Sequence, residues 1–159
     1  TASTPAARDA LWNVRKVMSR ALRARARCKL SEDVVVPRPR VPALLDAVRA
    51  IAAREGVVMP TYGHAGDGNL HVNVLWDDDA QRPAVDRAVA ALFRATLDLD
   101  GTLSGEHGIG VLKAPYLPWE QSPALIALQQ RIKGAFDPHG VLNPGKVFLP
   151  EGGVSHRAC

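Results

Sequence analysis

The sequence predicts an α+β fold of the ferredoxin-like kind. In it a β-α-β-β-α-β chain forms an antiparallel sheet with helices on one face, flanked by N- and C-terminal helices. Three observations predict it. Apolar residues recur at helical spacing over 42–55 and again over 82–99. Short β-branched or alternating runs stand before, between and after those two segments. Prolines and glycines punctuate each change of pattern.

In chain order, residues 6–27 read as a first helix, with Leu11, Val14, Met18 and Leu22 at three- and four-residue steps and a largely basic remainder. The span from Glu32 to Pro37 contains Val34-Val35-Val36, a β-branched run closed by Pro37, Pro39 and Pro42: a strand and its exit. Pro42 suits a first helical turn; Leu44, Leu45, Val48, Ile51 and Ala52 form the apolar face that follows, and Gly56 stops it. Val57-Val58-Met59 opens a second strand that leads through Pro60 into a glycine-rich turn, and Leu70 to Trp76 forms the third. Asp77, Asp78 and Asp79 read as a solvated turn and helix start. Residues 82–99 carry Val85, Val89, Leu92, Phe93 and Thr96 on one side, and Thr102-Leu103 is a short fourth strand. Ser122 caps a last helix that ends at Asp137-Pro138-His139-Gly140.

A chain of 159 residues suits one domain, placed here at 1–149, with 150–159 as an unstructured tail. The opening Thr-Ala-Ser-Thr-Pro is no natural start and reads as part of a longer polypeptide. Residues 1–27 lack a signal-peptide pattern and no apolar run spans a bilayer. Two cysteines, Cys28 and Cys159, make no disulfide framework, so a reducing, cytoplasmic setting is expected, either free or peripheral to the inner face of a membrane. The net charge of +4 gathers in Arg15, Lys16, Arg20, Arg23, Arg25, Arg27 and Lys29. Nucleic acid is not the expected partner, because aromatic residues are only 5% of the chain and none interleaves with these cations. A solvated helix face, an anionic substrate, a partner domain or an acidic membrane surface all remain compatible with the run.

The chemistry concentrates in Tyr62-Gly63-His64-Ala65-Gly66-Asp67-Gly68-Asn69-Leu70-His71-Val72-Asn73 and in Ser104-Gly105-Glu106-His107-Gly108. A tight reversal at the glycines can bring His64 and His71 together. Alternation puts His71 and Asn73 on one strand face and Val72, Val74 and Trp76 on the other. His64, His71 and Glu106 are then a ligand set for zinc, manganese or iron(II) with open positions; the plain alternative is a polar loop whose histidines bond backbone groups. His107, next to Glu106, is then a candidate proton acceptor beside the cation. Arg15, at the edge of the first helix's apolar stripe, is either a surface arginine or a bidentate carboxylate anchor. Asn73 is either a neutral contact for a substrate carboxylate or a strand-edge amide. Asp67 braces the glycine turn or a ligand imidazole.

These motifs resemble a known family. Gly63-His64-Ala65-Gly66-Asp67-Gly68-Asn69-Leu70-His71, Gly105-Glu106-His107-Gly108-Ile109-Gly110, Phe136-Asp137-Pro138 and Leu142-Asn143-Pro144-Gly145-Lys146 are similar to the C-terminal domain of FAD-linked oxidases. That branch of the vanillyl-alcohol-oxidase superfamily holds glycolate oxidase, D-lactate dehydrogenases and D-2-hydroxyglutarate dehydrogenase. Leu11-Trp12 with Arg15, and Asp33-Val34-Val35-Val36-Pro37, also fit, so the resemblance covers roughly 8–149. It implies oxidation of a small D-2-hydroxy acid to a 2-oxo acid, with FAD taking the electrons and passing them to an unspecified acceptor. It implies His64, His71 and Glu106 as metal ligands, with zinc first among the cations, and His107 as catalytic base. Arg15 and Asn73, with Ser19 and Lys29 behind them, are the implied substrate contacts. Asn143 and Lys146 match a closing motif that folds toward the flavin. Nothing before Arg8 could form the family's FAD-binding domain, so FAD is expected on a partner domain of the same parent protein. The piece alone should not turn over; homo-oligomerisation stays open. The rivals are a non-catalytic module that uses its basic first helix against a protein or nucleic-acid partner, and, last, a metal-dependent hydrolase.

Overall fold

The computed structural model describes residues 2–148. Three strands form one antiparallel sheet in the order β1-β3-β2: β1 is Cys28–Val35, β2 Thr61–His64 and β3 Asn69–Trp76. Between β1 and β2 runs α2 (Val41–Glu55), and after β3 comes α3 (Arg82–Asp98). Before the sheet lies α1 (Pro5–Arg23), and after it the short α4 (Leu117–Glu120) and α5 (Pro123–Phe136). Thr102 adds a single antiparallel bridge to Val35 on the outer side of β1. The spatial order is therefore Thr102, β1, β3, β2, the α+β arrangement expected, with its fourth strand reduced to one residue pair.

The central strand explains the sheet. β3 is buried over its whole length, and its alternation divides two environments. Leu70, Val72, Val74 and Trp76 pair with Val34, Glu32, Leu30 and Cys28 of β1 on the face that packs against Leu44, Val48 and Ile51 of α2 and Val89, Leu92 and Phe93 of α3. His71, Asn73 and Leu75 pair with Asp33, Ser31 and Lys29 on the opposite face. The apolar set on one face and the polar set on the other follow from the period of two.

Element ends differ from expectation for identifiable reasons. α1 stops at Arg23, short of 27, because β1 begins at Cys28, where the register with Trp76 starts. The expected strand at 57–59 shrinks to the Val58–Leu75 bridge. Pro60 has no N–H to give, and regular pairing resumes at Thr61, so His64 belongs to a strand rather than a turn. α2 ends as expected, with Gly56 at a left-handed φ of 67°. Asp78 starts the turn before α3 with a reciprocal capping box to Gln81.

α1 and α5 bury no residue. Leu11, Trp12, Val14 and Val17 of α1 are exposed, as are Leu125, Leu128, Ile132 and Phe136 of α5. No helix among the described residues is long and apolar enough to cross a membrane. The tail at 150–159, with Cys159, lies outside the described residues.

Candidate active site

The polar face of the sheet gathers the chemistry. Tyr62 and His64 of β2 pair with His71 and Asn69 of β3, so two of the histidines project from neighbouring strands on that face. Gly63 lies between them, where a Cβ would sit 2.2 Å from the Asn69 carbonyl oxygen; only glycine lets β2 and β3 approach this closely. His64 and His71 lie edge to face at 5.3 Å, and His107 stacks on His71 at 5.1 Å and 11°.

Glu106 is the point of convergence. Its Oε1 lies 3.2 Å from His71 Nε2, 3.7 Å from His64 Nε2 and 3.8 Å from His107 Nε2. Two ligands about 2.0–2.1 Å from a tetrahedral ion stand about 3.3 Å apart, so the first two spacings suit atoms that share a cation. One atom each from Asp33, His71, Glu106 and His107 also lies within 4.8 Å of the others. Asp33, however, faces His71 Nδ1 while Glu106 faces His71 Nε2. The two carboxylates thus address opposite nitrogens of one ring, and Asp33 stands outside the pocket that the Nε2 atoms point into.

Asp33 was not among the residues singled out from sequence for the site, yet it holds the Glu106 loop. Its Oδ2 accepts the backbone N–H groups of Gly105 (2.9 Å), Glu106 (2.8 Å) and His107 (2.9 Å), and its Oδ1 accepts Asn69 Nδ2 (2.5 Å). Burial pushes the Asp33 carboxyl up, but the His107, Asn69 and Glu106 donors with the Lys113 charge outweigh it and hold it at about 2. His71 is shifted down, by burial first, against the raising pull of Asp33. A neutral imidazole is the form that binds a metal. Asp67, by contrast, braces only its own turn, through Asn69 N–H at 3.1 Å. At Gly105 a Cβ would meet Asn69 Nδ2 at 1.8 Å, so the loop fits only without a side chain there.

Arg15, Ser19, Lys29, Ser31, Tyr62, His71 and His107 line a cleft of about 270 Å³ between α1 and the sheet. The Arg15 guanidinium lies 5.6 Å over the Tyr62 ring, and Lys29 Nζ donates to Ser19 Oγ at 2.8 Å. Asn73 is on the same face but buried, its amide donating to the carbonyls of Pro60 (3.2 Å) and His71 (3.1 Å). Asn143 and Lys146 lie apart from this cleft. They line an apolar hollow of about 540 Å³ with Phe136, Leu142, Val147 and Phe148, and their segment reaches the Glu106 loop through Val147 N–H to Gly110 O at 2.7 Å.

Beneath the site, on the core face, Glu32 and Lys113 are both buried. Lys113 Nζ donates to the carbonyls of Asp33 (2.6 Å) and Leu103 (2.7 Å) and lies 3.8 Å from Glu32 Oε2. Burial raises Glu32 to about 7 against the opposing Lys113 charge, and burial lowers Lys113.

A family profile described as FAD linked oxidases, C-terminal domain, matches residues 1–147. The chain belongs to this family. The FAD-linked oxidase C-terminal domain described here is 41% identical over 138 residues to glycolate oxidase subunit GlcD of Bacillus subtilis, covering 82% of this chain and 29% of that protein. It is 34% identical over 144 residues to D-2-hydroxyglutarate dehydrogenase of Stutzerimonas stutzeri (87% and 31%). It is 37% identical over 147 residues to a probable mitochondrial D-lactate dehydrogenase of Danio rerio (89% and 29%). The domain therefore spans less than a third of the length of these relatives.

Proposed function

We infer that this domain is the substrate- and metal-binding part of an FAD-dependent D-2-hydroxy-acid dehydrogenase or oxidase. The observation that carries the reading is the fan of three Nε2 atoms, from His64, His71 and His107, within 3.2 to 3.8 Å of one Glu106 oxygen, beside a small cleft walled by Arg15 and Lys29. His64, His71 and Glu106 would hold a divalent cation, zinc first, since two imidazoles and a carboxylate leave coordination positions open. The cation would supply Lewis-acid polarisation of a hydroxyl. FAD, carried by the rest of the parent protein, would take the electron pair.

The remaining work falls to side chains of this domain. Arg15 and Lys29 supply positive charge for the substrate carboxylate, and Arg15 can grip it with two parallel hydrogen bonds. Ser19, tied to Lys29, orients that ammonium. His107 accepts the proton of the C2 hydroxyl at Nε2, the nitrogen turned toward Glu106. The buried His71 forms one wall of the cleft. The two amide donors of Asn73 already serve Pro60 and His71, so its part is to hold β2 against β3 at the cleft. The exposed apolar faces of α1 and α5 support docking onto the remaining two-thirds of a protein such as the relatives.

Titration of the chain with Zn²⁺ tests the reading, followed by glycolate, D-lactate and D-2-hydroxyglutarate on the loaded protein. One ion per chain is expected, with binding weakened tenfold or more by His64→Ala or Glu106→Gln. Arg15→Ala is expected to spare the ion and abolish hydroxy-acid binding. Folded protein that takes up no divalent ion overturns the ligand set.

A further inference from the structure

The Asp33 side chain does something the ligand set and the cleft do not account for. One oxygen receives three consecutive backbone N–H groups, those of Gly105, Glu106 and His107, at 2.8 to 2.9 Å. Three donors that converge on a single atom fix the direction of the peptide chain through that loop, and hence where the Glu106 and His107 side chains leave it. The other oxygen accepts from Asn69 and lies 3.6 Å from His71 Nδ1. His71 Nδ1 is buried and lacks a hydrogen-bond partner, an unusual state for a ring nitrogen that is 95% or more enclosed with its residue. Among the described residues the carboxylate within 4 Å of it is Asp33, itself fully buried and so little screened by solvent, whereas the Glu106 carboxylate opposite Nε2 is half exposed.

We propose that Asp33 is the positioning residue of the site: one carboxylate sets the Glu106–His107 loop and, through its second oxygen, holds His71 with the proton on Nδ1, leaving the Nε2 lone pair open to a cation. This rests on the cation-binding reading above for its purpose, though not for its geometry. A buried Asp33 thus couples two parts of the site that are far apart in sequence. The loop cannot move without releasing the carboxylate, and the carboxylate cannot turn without moving the charge that faces His71 Nδ1. Asp33 touches neither substrate nor flavin in this scheme; it acts through the three residues that do the chemistry.

Asp33→Asn separates this role from simple packing, because the amide has nearly the same shape. If its oxygen keeps the three N–H groups, its NH₂ takes the place of Oδ1: one hydrogen goes to the Asn69 amide, turned so that its oxygen accepts, and the other is directed at His71 Nδ1. The imidazole proton must then sit on Nε2, which closes the lone pair. The test uses the metal-free 159-residue chain, ¹⁵N-labelled at histidine for the tautomer and uniformly for amide exchange, followed by Zn²⁺ titration. Expected for the unsubstituted chain are the Nδ1–H tautomer at His71 and slow exchange at the amides of 105–107. Expected for Asp33→Asn are the Nε2–H tautomer, exchange at those three amides at least tenfold faster with the β3 core amides unchanged, and Zn²⁺ affinity lower by about 10- to 100-fold. An Nε2–H tautomer or unprotected 105–107 amides in the unsubstituted chain overturns the proposal, and this arm decides even if Asp33→Asn fails to fold. Equal Zn²⁺ affinity in both proteins also overturns it. Absence of Zn²⁺ binding in the unsubstituted chain, with tautomer and protection as expected, upholds the Asp33 clamp and sinks the cation reading alone.

Discussion

At the scale of single residues, the buried pair under the site sets the pH behaviour. Glu32 has a folded-state pKa of about 7, above its usual 4.5, so the folded chain binds more protons than the unfolded one between those values. Stability supplied by neutral Glu32 is full below pH 4.5 and declines as pH climbs through 7. Asp33 runs the other way. Its depressed value of about 2 contributes stability above pH 3.8 that is lost as pH falls toward 2, about 2 kcal/mol by linkage. Urea unfolding of the metal-free chain across pH 3 to 8 is expected to show both slopes, with Glu32→Gln flattening the neutral one. Lys113→Met leaves two buried carbonyls unpaired and removes the only cation near Glu32 among the described residues. It is expected to cost about 3 kcal/mol, and more at pH 8 than at pH 5, because an ionised Glu32 then has no partner. His64, His71, Glu106 and His107 could be picked out from residue type and glycine spacing. Asp33 and Lys113 could not: each works through backbone atoms far away in sequence, and nothing local to Asp33 announces that three N–H groups will arrive from another loop.

Among elements, the helical periods of α2 and α3 were legible because their apolar faces pack on one broad sheet face. The first half of β1 was not, since Cys28-Lys29-Leu30-Ser31 has no β-branched run and becomes a strand only by pairing with β3. The fourth strand was over-read. After Thr102 bridges Val35, the backbone turns away because the Leu103 N–H goes to Glu120 Oε2 and those of Gly105, Glu106 and His107 go to Asp33 instead of a ladder. That competition makes Gly105 a sensitive point. Gly105→Ala is expected to destabilise the chain by about 1–3 kcal/mol and to weaken Zn²⁺ binding with it, since the new methyl collides with the Asn69 amide that Asp33 holds. Thermal melts with and without Zn²⁺ read both effects.

For the molecule as a whole, the two terminal helices present apolar faces that no other described element covers. Phe136 is 82% exposed and Ile132 52%, so neither stabilises this domain much on its own. Phe136→Ser with Ile132→Ser is expected to leave the unfolding free energy within about 0.5 kcal/mol while reducing concentration-dependent association in sedimentation. A large fall in stability would show that these side chains pack within the domain after all. That α1 would be amphipathic was readable from its spacing, and α5 was readable only from its cap and stop signals; that the apolar faces of both would stay uncovered was not, because a local pattern never reports a neighbour.

The pleat of β1 and β3 ties hydrophobic packing and chemistry into one alignment. Val72 and Val74 look one way, His71 and Asn73 the other, so sliding either strand by a single position would send imidazoles into the oil and valines into the cleft together. A misaligned form could keep neither half. Insertions within 69–76 should therefore give all-or-none outcomes, with no stable but inactive intermediates, whereas insertions at the Ala65–Gly66 turn should be graded.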